Sequence, residues 1–87
     1  MFRIQRDFDG RTANFRLIGR IQFDSLPCIK KALQDGSARK RFDVSEVTLA
    51  DAAVIRFLIS CEDEGIEITH CPPWVREWMV RERAEGA

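Results

Sequence analysis

The 87-residue chain is long enough for one domain and too short for two. Fourteen basic and fourteen acidic side chains cancel, whereas a nucleic-acid-binding domain normally carries a basic excess. No apolar run approaches the roughly 20 residues needed to span a bilayer, and the early charges of segment 1–7 are unlike a signal peptide. The odd number of cysteines does not form a regular disulfide framework. These features predict a soluble protein of the cytoplasm.

The first two predicted elements are antiparallel strands. Apolar and polar residues alternate over residues 2–8 and again over residues 13–17. Asp9-Gly10 between them is a strong hairpin signal, and Gly19 marks the end of the second strand.

A helix and a short strand follow. Asp24 and Ser25 are candidate N-caps for a helix over residues 25–35, and Gly36 is placed to end that helix. A polar turn then leads to a short strand around residues 42–44.

The second predicted helix has clear signals at both ends. Asp51 caps its start and Gly65 ends it. The residues between them are apolar around most of the helix circumference, with only Arg56 and Ser60 interrupting. A helix of this kind is enclosed by its neighbours, so we expect it to be the central helix.

A last strand and a last helix complete the pattern. The strand covers residues 66–69, and Pro72-Pro73 breaks it and starts the helix. We expect the polar segment 81–87 to be a frayed tail. The apolar stripe of this helix is formed by Trp74, Val75, Trp78 and Met79.

The predicted order β-β-α-β-α-β-α defines the fold class. Strand-helix-strand units give parallel strands, and the hairpin adds an antiparallel one. Because most strands alternate rather than read as continuous apolar runs, one face of the sheet stays in contact with water. We therefore predict a single α/β domain over residues 1–87: a one-sided βα layer, with a four-stranded mixed sheet and three helices on one face.

Residues capable of catalysis are present but isolated from one another. His70 is the only histidine, so no zinc set of usual spacing is available, and we expect neither a metal nor a cofactor. Cys28 lies in the first turn of the first helix, a position that can favour a reactive thiol, and Cys61 is expected to pack in the core. No pair of residues suggests a nucleophile and its base, which predicts a protein that is not an enzyme.

Two charged runs allow alternative interpretations. Arg39-Lys40-Arg41 is expected to be the exposed start of a strand. The acidic run 62–64 closes the second helix, where the helix dipole disfavours negative charge. That run is either a tolerated surface feature or the mark of a partner site.

The segment from Phe42 to Leu58 places a strand, a short loop and an Asp-capped apolar helix in fixed order. It resembles the STAS family, the anti-sigma-factor antagonists and sulfate-transporter C-terminal domains. Residues 17–21 are similar to the turn that ends the family's second strand, while residues 65–68 and 72–75 are similar to its last strand and helix. The resemblance implies a right-handed βα superhelix with helices on one side.

In antagonists of this family the helix begins Asp-Ser-Ser/Thr-Gly, and a partner kinase phosphorylates a serine there. In this chain Asp51 is retained, while Ala52, Ala53 and Val54 replace the residues that follow. Alanine cannot accept a phosphoryl group. The resemblance therefore implies a surface that binds its partner constitutively or is controlled elsewhere.

Three other hydroxyl residues are alternative phosphorylation sites. Ser25 is otherwise a helix cap, Ser45 a loop residue and Thr48 a residue of a strand end or turn. A phosphate adds about −1.5 to −2 charge, enough to eject a partner from an adjacent surface.

The predicted function is a non-catalytic protein-binding module in a partner-switching or scaffolding complex of bacterial transcription control. Its partner would be a kinase-like anti-sigma protein or another STAS-type chain, and a weak homodimer is a further prediction. The alternative is a transporter-associated domain or one that senses a small ligand or an anion at a helix N-terminus. The predicted contact surface consists of Asp24, Ser25, Glu46, Thr48, Leu49, Asp51, Ala52 and Ala53.

Overall fold

The computed structural model describes residues 2–34 and 39–86 and has the predicted α/β architecture. The four strands are β1 (Phe2–Phe8), β2 (Thr12–Ile21), β3 (Arg39–Ala50) and β4 (Glu67–Thr69). The three helices are α1 (Leu26–Ala32), α2 (Ala52–Asp63) and α3 (Pro73–Gly86), and a 3-10 turn (Phe23–Ser25) precedes α1.

The sheet is mixed and its strands lie in the order β1-β2-β3-β4. The β1 and β2 strands pair antiparallel, whereas β2 with β3 and β3 with β4 are parallel. The predicted hairpin joins β1 to β2: Asp9 Oδ1 accepts hydrogen bonds from the backbone N–H groups of Arg11 (3.1 Å) and Thr12 (2.7 Å). Gly10 has a φ of +94°, a conformation that glycine adopts without steric cost.

All three helices cover one face of the sheet, as predicted, and share one hydrophobic cluster with it. The ring of Phe42 in β3 lies 5.9 Å from that of Phe15 in β2 and 6.2 Å from that of Phe57 in α2. The aromatic side chains thus connect two strands to the helix layer. The buried apolar residues are Ala13, Phe15, Leu17, Ile21, Ile29, Phe42, Val44, Val47, Val54, Ile55, Leu58, Cys61, Val75 and Met79.

Both predicted ends of α2 are confirmed. Asp51 has an extended backbone and its side chain accepts a hydrogen bond from the N–H of Val54, which satisfies a donor that the helix leaves free. At the other end Gly65 has a φ of +91°. The N–H of Ile66 donates to the carbonyl of Cys61 at 2.9 Å, the pattern of a Schellman termination.

Three predicted elements are longer in the structure. Strand β3 runs over Arg39–Ala50 rather than over residues 42–44, because its pairing with β2 continues through register shifts next to Arg16 and Gly19. Gly19 therefore does not end β2, which continues to Ile21. The predicted frayed tail is also wrong as far as residue 86, since α3 is helical to Gly86.

The start of α1 and the stripe of α3 also differ in detail. Ser25 stands at the N-cap position of α1 but its side chain makes no capping hydrogen bond, because the preceding 3-10 turn gives it helical dihedral angles. The helix ends at Ala32, and the predicted cap Gly36 lies outside the described residues. In α3 the residues Val75 and Met79 are buried, whereas Trp74 is 39% exposed and does not belong to the core.

Candidate functional site

The carboxyl ends of β2 and β3 meet at one edge of the sheet because the two strands are parallel. Arg20 lies beside Leu49 and Ile21 beside Ala50 in the strand register. The next residue along the chain, Asp51, starts α2. Two strand ends and one helix start therefore converge at this end of the domain.

Asp51 connects the parts of this end through both of its carboxylate oxygens. Its Oδ1 accepts a hydrogen bond from the N–H of Val54 at 3.0 Å, which caps α2. Its Oδ2 accepts one from the N–H of Phe23 at 2.8 Å, a residue 28 positions earlier. The single side chain thus holds the 3-10 turn against the start of α2.

The surface around Asp51 exposes large apolar side chains. Phe23 is 68% exposed and Leu49 is 41% exposed. Ala52 and Ala53 are half-buried in the first turn of α2 and present only methyl groups. Exposed apolar side chains on a rigid surface are typical of sites that contact other proteins.

Most of the predicted surface residues lie at this end of the domain. Asp24 is exposed in the 3-10 turn, and Ser25 is half-buried at its end. Thr48 is exposed near the end of β3. Glu46 is the exception: its Oε2 lies 3.6 Å from Nη1 of Arg16, roughly 13 Å before the end of β3.

Sequence reasoning missed two residues of this surface, Phe23 and Arg20. Phe23 is the most exposed large hydrophobic residue in the described parts of the chain, and Arg20 is an exposed cation beside Leu49. A usable signal existed, because parallel strands end at the same edge and residues 20–23 follow the strand end that the sequence predicts at Gly19. The missing information was that β2 extends beyond Gly19 to that edge.

A separate group of polar side chains lies on the helix-free face of the sheet, in a shallow depression of about 680 Å³. Asp43 stands at its centre: its Oδ2 lies 3.8 Å from Nε of Arg16 and 3.4 Å from Nδ1 of His70. Its Oδ1 accepts hydrogen bonds from Ser45 N–H (2.9 Å) and Oγ–H (2.7 Å). Burial alone would raise the pKa of Asp43, but the Ser45 hydrogen bonds and the charges of His70 and Arg16 outweigh burial and lower it.

This cluster does not have the order of groups of a Ser–His–Asp triad. The carboxylate of Asp43 stands between the Ser45 hydroxyl and the His70 imidazole. In such a triad the serine hydroxyl is hydrogen-bonded to the imidazole itself. His70 has a φ of +53°, so it also forms the turn that leads from β4 to α3.

The cysteines occupy different environments. Cys61 is buried as predicted, and burial raises the pKa of its thiol to about 12, so it stays protonated. Burial also raises the pKa of Cys71. Cys28 is exposed near the start of α1. Within residues 2–34 and 39–86, no group of three His, Cys, Asp or Glu side chains is placed to hold a metal ion.

The acidic run at the end of α2 pairs with basic side chains of α3. Glu62 accepts hydrogen bonds from Nη1 (3.2 Å) and Nη2 (3.0 Å) of Arg76 and from Nη2 of Arg83 (3.0 Å). Asp63 accepts another from Nη1 of Arg83 at 2.9 Å. Two of the three acidic side chains of the run, Glu62 and Asp63, therefore form contacts between two helices of the fold.

The arginine contacts make this part of the fold sensitive to acid. The hydrogen bonds from Arg76, followed by those from Arg83, lower the pKa of Glu62 against the opposing effect of burial. A carboxylate with a lowered folded-state pKa contributes stability above its unfolded value, and that contribution is lost as the pH falls through the folded value. Glu62→Gln should therefore lower the free energy of unfolding near neutral pH by about 1 kcal/mol.

Urea titrations of the wild type and Glu62→Gln at about pH 7 and about pH 3 measure the loss in the free energy of unfolding. This loss should be smaller at the lower pH. The matched control is Glu64→Gln, which removes an exposed carboxylate of the same run. Equal effects of the two substitutions at neutral pH would contradict the role given to the arginine contacts.

Comparison of the chain with models of known protein families, and separately with curated proteins, finds no match. Among the residues described, no helix is long and apolar enough to cross a membrane.

Proposed function

We propose that this chain is a non-catalytic protein-binding module whose contact surface is the end of the domain around the start of α2. One observation carries the proposal: Asp51 accepts hydrogen bonds from the backbone N–H groups of both Phe23 and Val54, which holds the backbone of Phe23, a residue with an exposed ring, beside the start of α2. The exposed Leu49 extends the apolar part of this surface. A preformed surface loses little conformational entropy when a protein partner binds.

The resemblance to the STAS family gives the class of partner. It is a kinase-like anti-sigma protein or another STAS-type chain, bound in a partner-switching or scaffolding complex. Ala52 and Ala53 stand where the antagonists carry hydroxyl groups, so binding here is constitutive with respect to phosphorylation at these positions. Bacterial transcription control in the cytoplasm is the setting that this resemblance implies.

The alternative of an anion- or ligand-sensing domain has less support at this site. An anion at the start of α2 would need free N–H groups and an attractive charge. Asp51 already accepts the hydrogen bond of Val54 and places a carboxylate there. Arg20 lies beside Leu49 on the strand side of the surface, and Lys30 and Arg56 line a depression together with Ala53.

Incubation with ATP and purified kinase-like anti-sigma proteins from the source genome tests the proposal. We expect one of them to form a complex that persists in ATP, and the intact mass of this chain to stay unchanged. An antagonist beginning Asp-Ser-Ser/Thr-Gly serves as the positive control for kinase activity. Added phosphate at Ser25, Ser45 or Thr48 that releases the partner would contradict constitutive binding.

A further inference from the structure

The strand β1 forms one edge of the sheet, and within the described parts of the chain nothing pairs with its outer side. Its register with β2 is unbroken over Phe2–Phe8, without a bulge, and the strand contains no proline. Bulges and prolines are two of the devices that keep such an edge from pairing, and charged side chains are another, of which β1 carries Arg3, Arg6 and Asp7. Alternate residues of β1 therefore present N–H and C=O groups that another strand can pair with.

The sequence of β1 is complementary to itself in the antiparallel direction. When a second copy of β1 runs antiparallel to the first with Gln5 opposite Gln5, an aromatic residue faces an aromatic one and a basic residue faces an acidic one. The residues brought opposite one another are Phe2 with Phe8, Arg3 with Asp7, and Ile4 with Arg6.

We propose that two copies of this chain associate by antiparallel pairing of their β1 strands, centred on Gln5. The product is one continuous sheet whose helices all lie on the same face, because residues directly opposite in an antiparallel pair point to the same side. This inference does not depend on the proposed function, since β1 is the edge strand remote from β3 in the strand order.

Two ion pairs would link the copies on the helix-free face. Arg3 and Asp7 are both exposed, and neither forms an ion pair with another residue in the described ranges. In the proposed register Arg3 of each copy faces Asp7 of the other. Opposite charges directly across an antiparallel pair stabilise it, and like charges destabilise it.

Aromatic contacts would link the copies on the helix side. Phe8 is 51% exposed, and the Arg6 guanidinium lies 5.8 Å from the centroid of its ring. Phe2 is half-buried on the same side of β1. Pairing covers Phe8 of one copy with Phe2 of the other and lays the aliphatic part of Arg6 against Ile4.

Charge reversal separates this proposal from unspecific association. Sedimentation equilibrium from micromolar to millimolar concentration should show the wild type approaching twice its 10.1 kDa mass. Arg3→Asp and Asp7→Arg should each weaken association about tenfold or more, because each places like charges opposite one another at two symmetry-related positions. The double variant Arg3→Asp/Asp7→Arg should associate within about threefold of the wild type, since opposite charges face each other again.

The matched control is Arg81→Asp, an exposed charge reversal on α3 that should leave association unchanged. A dilution series followed by NMR of the wild type needs no variant, and its concentration-dependent shifts should concentrate on residues 2–8. A wild type that stays monomeric throughout would overturn the proposal. Concentration-dependent NMR shifts confined to other elements would also overturn it. So would a folded double variant that self-associates as weakly as the single variants.

Discussion

Leu58→Ala is expected to lower the free energy of unfolding by roughly 2–5 kcal/mol. Leu58 is only 3% exposed and lies on the buried side of α2, in the cluster that the helices share with the sheet. Truncation removes its transfer free energy and leaves a cavity that the neighbouring side chains fill only in part. A small domain has a total stability of about 5–15 kcal/mol, so this loss is a large fraction of it.

Urea titration followed by circular dichroism measures the loss. Ser60→Ala is the matched control, since Ser60 is exposed on the same helix and alanine is a good helix former. The control should change the free energy of unfolding by less than about 0.5 kcal/mol. A loss of that small size for Leu58→Ala would mean that α2 is peripheral to the core.

The elements that could be predicted from the sequence were those with a local signal. The period-two pattern of β1, the Asp9-Gly10 turn and the two ends of α2 at Asp51 and Gly65 all involve residues close together in the chain. The one-sided layer followed from the alternation of the strands. The turn at Asp9 and the two ends of α2 are held by hydrogen bonds between residues close together in the chain.

The length of β3 could not be predicted because its alternation is broken. Val44 and Val47 are both buried although they stand three residues apart, which is incompatible with a regular strand. The register shifts in the β2–β3 pair account for the change of phase. A register shift of this kind depends on the partner strand and leaves little trace in the sequence.

The helical state of residues 81–86 depends on contacts between helices. This segment has too few apolar residues to predict a packed helix. In the structure Arg83 pairs with Glu62 and Asp63, and Glu82 lies 3.4 Å from Nε of Arg56. These partners are about 20 or more residues away in sequence, so local periodicity could not reveal them.

The candidate site was predicted in part. Asp51 was identified as a helix cap, but the second hydrogen bond of its carboxylate, to Phe23, is a long-range contact. That bond brings an exposed ring to the surface that the sequence had placed around Leu49, Ala52 and Ala53. Glu46, in contrast, pairs with Arg16 on the helix-free face.

Self-association and partner binding would use separate parts of the domain. The β1 edge lies on one side of the sheet, whereas the proposed contact surface lies where β2 and β3 end and α2 begins. A dimer formed through β1 would present two such surfaces. Two linked sites raise the apparent affinity for a partner that is itself dimeric.

Ala53→Glu and Ala52→Glu are expected to weaken the partner complex more than tenfold. Each substitution puts a carboxylate where a methyl group now faces the proposed contact. Burying one uncompensated charge costs several kcal/mol in practice. Negative charge in the first turn of a helix contributes about 0.3–1 kcal/mol in the favourable direction, so both variants should stay folded.

Calorimetric titration of the partner identified in the ATP experiment is the most direct test of the proposed surface, with a melting curve recorded for each variant. Ser60→Glu adds the same charge to an exposed position farther along α2 and serves as the control. We expect Ala52→Glu and Ala53→Glu to lose more than tenfold in affinity while Ser60→Glu binds like the wild type. Folded Ala52→Glu and Ala53→Glu proteins that bind as tightly as the wild type would contradict the assignment of the contact surface to the start of α2.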